Sequence, residues 1–136
     1  MKKLLILFVM TIAGANLYAQ SIKSATNKDL GKIESDGTIK SSTNSIVGYI
    51  KSDGKVTTSS GKTLGYIKSD GKITGPTGNT LGYVKSDGKV TDGSNKTLGY
   101  ISNDGKVSGP TNSGIGRAVG VEKEWAAAYF FFFDFN

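Results

Sequence analysis

The side chains in this chain that could do chemistry are lysine, aspartate, tyrosine and serine; histidine and cysteine are absent from all 136 residues. Their absence removes the usual general base, the usual nucleophile pairs and the common zinc ligands. What remains recurs in a fixed pattern. Asp36, Asp53, Asp70, Asp87 and Asp104 each sit in a Ser/Asn-Asp-Gly triplet, and Lys51/Lys55, Lys68/Lys72 and Lys85/Lys89 flank three of these. Calcium takes about six to eight oxygens, and one aspartate per unit with lysines beside it is a poor supply. The triplet has turn chemistry instead. Its carboxylate bonds nearby backbone, and its glycine accepts a positive φ. Nothing in these polar surroundings would desolvate and activate a lysine. We therefore expect no enzyme and no cofactor or metal.

Tyr49, Tyr66, Tyr83 and Tyr100 form a second repeated set. They could stack on sugars, while Lys51, Lys55, Lys68, Lys72, Lys85 and Lys89, with Lys106 at the fifth turn, form an interrupted cationic ring if the turns share one rim. Repeated weak sites of this kind can hold an acidic polysaccharide by avidity. These ten Tyr and flanking Lys positions are the candidate ligand-facing residues, for acidic or neutral glycans. The competing roles are packing between hairpins for the tyrosines, and solubility and protection against edge pairing for the lysines.

The spacing names the elements that would position them. Leu30-Gly31, Val47-Gly48, Leu64-Gly65, Leu81-Gly82, Leu98-Gly99 and Ile115-Gly116 recur at intervals of 17 residues. After the first five comes Ile/Val-x-Ser/Asn-Asp-Gly-x-Ile/Val. A period of this length marks a repeat architecture in which neighbours cover each unit's apolar face. A three-residue loop at Ser-Asp-Gly pairs Ile50 with Val56 on one face, whereas a two-residue loop would split that apolar pair. Val47 and Tyr49 then share the opposite face. A glycine in every strand implies close approach of another backbone or a bulge. The other connections carry Gly-Pro or Asp-Gly and vary more, so a rim of tight turns and a looser rim of longer loops are expected.

Hairpins of this kind either close into a ring or stack as a solenoid. A ring removes exposed strand edges, and the chain ends favour it. Ile22 begins with a half unit and Ile115 opens another, so the strand near Ile22 is predicted beside the strand starting at Ile115. The Leu-Gly-Tyr-Ile-Lys-Ser-Asp-Gly-Lys repeats, the leader, and the Trp125-Ala-Ala-Ala-Tyr-Phe-Phe-Phe-Phe ending resemble the small secreted bacterial five-fold β-flower proteins. That resemblance covers nearly the whole chain. It implies a radial β-hairpin fold without assigned catalysis or cofactor, and it transfers no functional residues. The expected fold is all-β: a radial closed ring of 17-residue hairpin repeats, five-fold by its turns or six-fold by its Leu-Gly strands, with a short aromatic C-terminal segment packing on it.

Three segments are expected. Residues 1–19 read as a signal peptide, with Lys2 and Lys3 followed by an apolar stretch too short to span a bilayer. Cleavage is placed before Gln20, with the Ala13-Gly14-Ala15 triplet as a competing exit and an uncleaved anchor as the bland alternative. Export to the periplasm or the medium follows. Residues 20–121 form the repeat domain. Residues 122–136 form an aromatic cap, either a helix with Trp125, Tyr129, Phe132 and Phe133 as a stripe widened by Phe130 and Phe131, or a buried strand. The cap either plugs one mouth of the ring or serves self-association through Trp125, Phe135 and the residues between them. Formal charge is +6, falling to +4 without Lys2 and Lys3. That excess lacks the dense clustering of a nucleic-acid binder. The leading reading is a non-enzymatic exported repeat protein with a structural or interaction role at the cell envelope; the alternative is a carbohydrate-binding module on the repeated Tyr and Lys positions.

Overall fold

Each Ser/Asn-Asp-Gly triplet closes a hairpin in the computed structural model, which describes residues 20–135. The expected leader, residues 1–19, lies outside the described residues. At the second triplet Gly54 N–H donates to Lys51 O at 2.9 Å and Lys51 N–H donates to Lys55 O at 2.8 Å. Asp53 Oδ1 accepts the Lys55 N–H at 3.1 Å. Gly54 has φ +93°, and a Cβ there would stand 2.2 Å from Ile67 O of the next hairpin. Conformation and crowding both demand glycine. The register is the predicted one, with Ile50 opposite Val56 and Tyr49 opposite Thr57.

The strands are β1 (Ser21–Ser24), β2 (Asp29–Ile33), β3 (Thr38–Ser41), β4 (Ile46–Ile50), β5 (Lys55–Thr58), β6 (Thr63–Ile67), β7 (Lys72–Thr74), β8 (Thr80–Val84), β9 (Lys89–Asp92), β10 (Thr97–Ile101), β11 (Lys106–Ser108) and β12 (Gly114–Val119). Each pairs antiparallel with its sequence neighbours, and β1 pairs with β12, placing Ile22 opposite Ala118. The twelve strands thus close a barrel. Its pseudo-symmetry is six-fold. Five sectors are complete hairpins, and the sixth is assembled from β12 and β1, the two half units at the ends of the chain.

The six Leu-Gly positions are bulged, which re-aims a side chain and breaks the alternation of faces. In β6, Gly65 faces Val56 while Thr63 faces Thr57, so Leu64 is the extra residue. The same shift occurs at Leu30, Val47, Leu81, Leu98 and Ile115. All six aliphatic residues are half-buried and pack against the core. This corrects the expectation that Val47 shares a face with Tyr49: strict period-two counting fails at a bulge.

The second rim is also tighter than expected. Gly61 N–H donates to Thr58 O at 3.0 Å and Thr58 N–H to Lys62 O at 2.9 Å, the same bonding as at residues 51–55. The left-handed position is held by Asn27, Asn44, Gly61, Gly78, Asn95 and Asn112. Asparagine and glycine both tolerate that conformation, so composition varies while geometry does not. Both rims are tight turns.

Inside the barrel, each sector contributes one apolar pair, such as Ile33 with Ile39, Val84 with Val90 and Ile101 with Val107. Burying each Ile or Val contributes about 1.5–3 kcal/mol. The space they surround is filled by the chain's own ending. Helix α1 (Lys123–Ala127) continues into a π-helical turn over Ala128–Phe132. Ala126, Ala127 and Ala128 have no exposed surface.

Candidate functional site

The C-terminal segment enters through the Ser-Asp-Gly rim, where Glu122, Glu124 and Trp125 lie beside the turns at residues 51–54 and 68–69. It emerges at the other mouth as a crown of aromatic rings. The pairing of this crown with the barrel is residue by residue. Phe130 lies against Gly116, Phe131 against Gly99, Phe132 against Gly82, Phe133 against Gly65 and Phe135 against Gly48, each at 2.6–2.8 Å from where a Cβ on that glycine would stand. Successive residues of the ending therefore meet successive sectors in reverse order. The π turn makes this feasible. Phe133 N–H donates to Ala128 O at 2.9 Å, five residues back. The wider turn separates neighbouring side chains by a smaller angle than an α-helix does. Tyr129 completes the circle. It meets Phe130 edge-on at 5.2 Å and stacks on Phe135 at 6.0 Å, beside Leu30 and Val47.

The six rings and the six bulged aliphatic residues are all half-buried. One mouth of the barrel is thus an apolar disc set within loops of Ser, Thr, Asn and Lys. The tail is helical, so the strand alternative fails. The rings fan out to all sectors and form no stripe. Burial raises the pKa of the Tyr129 phenol above its ordinary value.

The predicted ligand-facing residues lie on the outer wall. Tyr49, Tyr66, Tyr83 and Tyr100 occupy the same level in successive sectors; Lys32 and Arg117 take that place in the remaining two. Each Tyr from Tyr66 to Tyr100 has a lysine opposite it on the preceding hairpin: Lys55, Lys72 and Lys89. Lys51, Lys68 and Lys85 fold back over Tyr49, Tyr66 and Tyr83, with Nζ 5.0, 5.2 and 5.5 Å from the ring centres. The structure brings all ten together as one half-belt, with each of these three rings capped by a cation. Ser102 stands where the corresponding lysine of Tyr100 would be. Under the belt Thr57, Thr74 and Thr91 are at most 3% exposed, and their hydroxyl oxygens have no hydrogen-bond partner.

The family comparison agrees with this architecture. Residues 19–134 match the family described as 5-fold beta-flower protein. The chain belongs to the five-fold β-flower family. No curated protein and no solved structure matches it significantly. Five Ser/Asn-Asp-Gly turns stand in this β-flower, and the sixth sector is closed by its termini. The acids of those turns act on backbone. At Asp36 the Thr38 N–H bond, 3.0 Å long, is the main cause of a lowered pKa. Asp104 is lowered chiefly by the Ser102 hydroxyl and then by Lys106 N–H, with Arg117 contributing.

Sequence reasoning missed the correspondence between glycines and rings in this β-flower. A signal was present: six Leu-Gly pairs stand against six aromatic residues at 129–133 and 135. Only a structure with the tail inside the barrel makes the two sets meet.

Proposed function

We propose that this β-flower protein is an exported, non-enzymatic module that works by contact at the cell envelope, and that its aromatic mouth is the contact surface. The observation that carries this reading is the apolar disc of half-exposed rings and aliphatic side chains gathered at one end. Apolar surface concentrated in one place marks an interaction site. Its partner is a second copy of the chain. Lys28, Lys62 and Lys96 stand on alternate loops of this rim, where the other three loops carry Ser45, Asn79 and Ser113. Two mouths facing each other with a one-sector offset set every lysine loop against an uncharged one. Sedimentation velocity on the purified protein tests this. A dimer that dissociates in the Leu81→Lys/Leu98→Lys variant, with the fold retained by circular dichroism, is the expected outcome. A wild-type chain that stays monomeric across micromolar concentrations refutes it.

Export rests on the reading of residues 1–19. Amino-terminal sequencing of protein recovered from the periplasm or the medium should begin at Gln20; an intact Met1 in that material would count against cleavage. The second reading, a carbohydrate-binding module on the Tyr and Lys half-belt, is supported by the continuity of that belt across four sectors. A glycan array at low salt tests it. Binding lost in Tyr66→Ala and Tyr83→Ala supports it, and silence across acidic and neutral glycans opposes it.

A further inference from the structure

The inserted helix sits off the barrel axis. It packs against β8 and β10, and Lys123 Nζ donates to Ser86 O at 3.5 Å. Away from that contact it leaves a cleft of about 380 Å³ at the Ser-Asp-Gly rim, between the β4–β5 and β6–β7 turns and the start of α1. Ile67 marks the opening. It is only half-buried, whereas the other eleven inward-facing aliphatic residues of the sector pairs are at most 5% exposed. The repeat treats Ile67 as it treats Ile50 and Ile101, so its exposure comes from the lean of the helix and not from its own unit.

We propose that this cleft binds a short neutral saccharide. Its apolar side is Ile50, Ile67 and Trp125, a fit for the C–H face of a pyranose ring. Glu122 and Glu124 line the helix side, and Ser52 and Ser69 line the hairpin side, while the ammonium groups of Lys51 and Lys68 turn away over Tyr49 and Tyr66. No ion pair among the described residues engages either carboxylate. Sugar hydroxyls both donate and accept, so they can bridge the carboxylate wall to the serine wall. An anionic ligand would meet the two carboxylates, and a cationic one the field of Lys51 and Lys68 just outside the cleft. The volume lies in the range of small-ligand pockets, about 300–1,000 Å³. This inference rests on the carbohydrate reading and moves its site from the outer wall to the rim.

Trp125 is the only tryptophan of the chain, so its emission reports this cleft directly. The protein is titrated separately with N,N′-diacetylchitobiose, cellobiose and maltose to about 10 mM, the regime of weak single-site binding, with calorimetry in parallel. A saturable change in emission with at least one of them is expected. Loss of a hydrogen bond to a charged group, at about 1.5–3 kcal/mol, weakens binding by roughly tenfold or more. That weakening is expected in Glu124→Gln; Ser69→Ala, which lies off the helix and is independent of its folding, should weaken binding by up to about tenfold, the worth of a neutral hydrogen bond. Tyr83→Ala should bind as wild type. Heat of binding with silent Trp125 emission, or binding lost in Tyr83→Ala, overturns the cleft and leaves the outer-wall reading standing. An emission change indifferent to both cleft variants also overturns it. No heat and no emission change with any of the three sugars overturns both.

Discussion

Replacing Gly82 by alanine drives a methyl group into two neighbours at once. The new carbon would stand 2.1 Å from Thr91 O and 2.7 Å from two carbons of Phe132. The ring can swing aside. The carbonyl is held in β9, which is paired to β8 through Gly82–Asp92 and Tyr83–Thr91, so it yields only by distorting the ladder. Overpacking a core costs about 1–3 kcal/mol. With backbone distortion added, the expected loss is at or above the top of that range, about 3 kcal/mol. For a domain of this size 1 kcal/mol moves Tm by roughly 3–6 °C, so the midpoint should fall by about 10 °C or more. Gly114→Ala is the control. A Cβ there meets nothing within 4 Å and the residue has no positive φ, so its effect should stay within about 0.5 kcal/mol. The ring's share is isolated by Phe132→Ala, which should cost about 2–3 kcal/mol, less than a fully buried phenylalanine. In the double variant the methyl enters space the ring has vacated, and about 1 kcal/mol should be recovered. Guanidinium unfolding followed by circular dichroism measures all four proteins. Strict additivity would show that Phe132 does not fill the glycine's space. A Gly82→Ala loss no larger than that of Gly114→Ala would refute the whole account of the glycine layer.

Three further outcomes are expected. The unpaired buried hydroxyls of Thr57, Thr74 and Thr91 make Thr→Val favourable by up to about 1 kcal/mol each; the triple variant should melt higher, and a lower Tm would mean that those hydroxyls are bonded. Tyr129 has a folded pKa raised by burial, so the stability it lends is fully present below the ordinary phenol value of about 10 and is lost as pH rises through the raised one. Tyr129→Phe should therefore make the alkaline decline in Tm shallower, and an unchanged profile would speak against burial of that hydroxyl. At the second turn Asp53→Ala removes one exposed bond to Lys55 N–H, worth about 0.5–1.5 kcal/mol. Gly54→Ala should cost more, since it combines φ +93° with a Cβ 2.2 Å from Ile67 O. Thermal melts giving the opposite order would contradict the assignment of glycine as the stricter requirement.

Much of the barrel was legible because its rules are local. Ser52-Asp53-Gly54 defines a loop length, and loop length with the apolar pair Ile50 and Val56 defines register. The half units at Ile22 and Ile115 foretold closure, since an unpaired edge at each end would otherwise be exposed. The face of Val47 was misjudged because a bulge inserts one residue without any mark in composition. The second rim looked loose because its composition varies, with Asn in four units and Gly in two at a position where both are conformationally acceptable. The half-belt of Tyr and Lys was legible as a spacing, but the folding of Lys51, Lys68 and Lys85 over the rings follows from side chains two residues apart on one outward face.

The sequence alone determined the repeat, the turns, the pairing register and the meeting of the two ends, because each depends on neighbours along the chain or on the next unit in line. Tertiary structure decided the rest. That the symmetry counts six sectors depends on β12 and β1 joining across the full length of the described chain. That Phe130 to Phe133 and Phe135 answer five glycines depends on threading the ending through the barrel. That Ile67 opens a cleft depends on which wall the helix leans against. These are contacts between distant segments, set by how volumes fill an enclosed space, and no local pattern encodes which side of that space is left over.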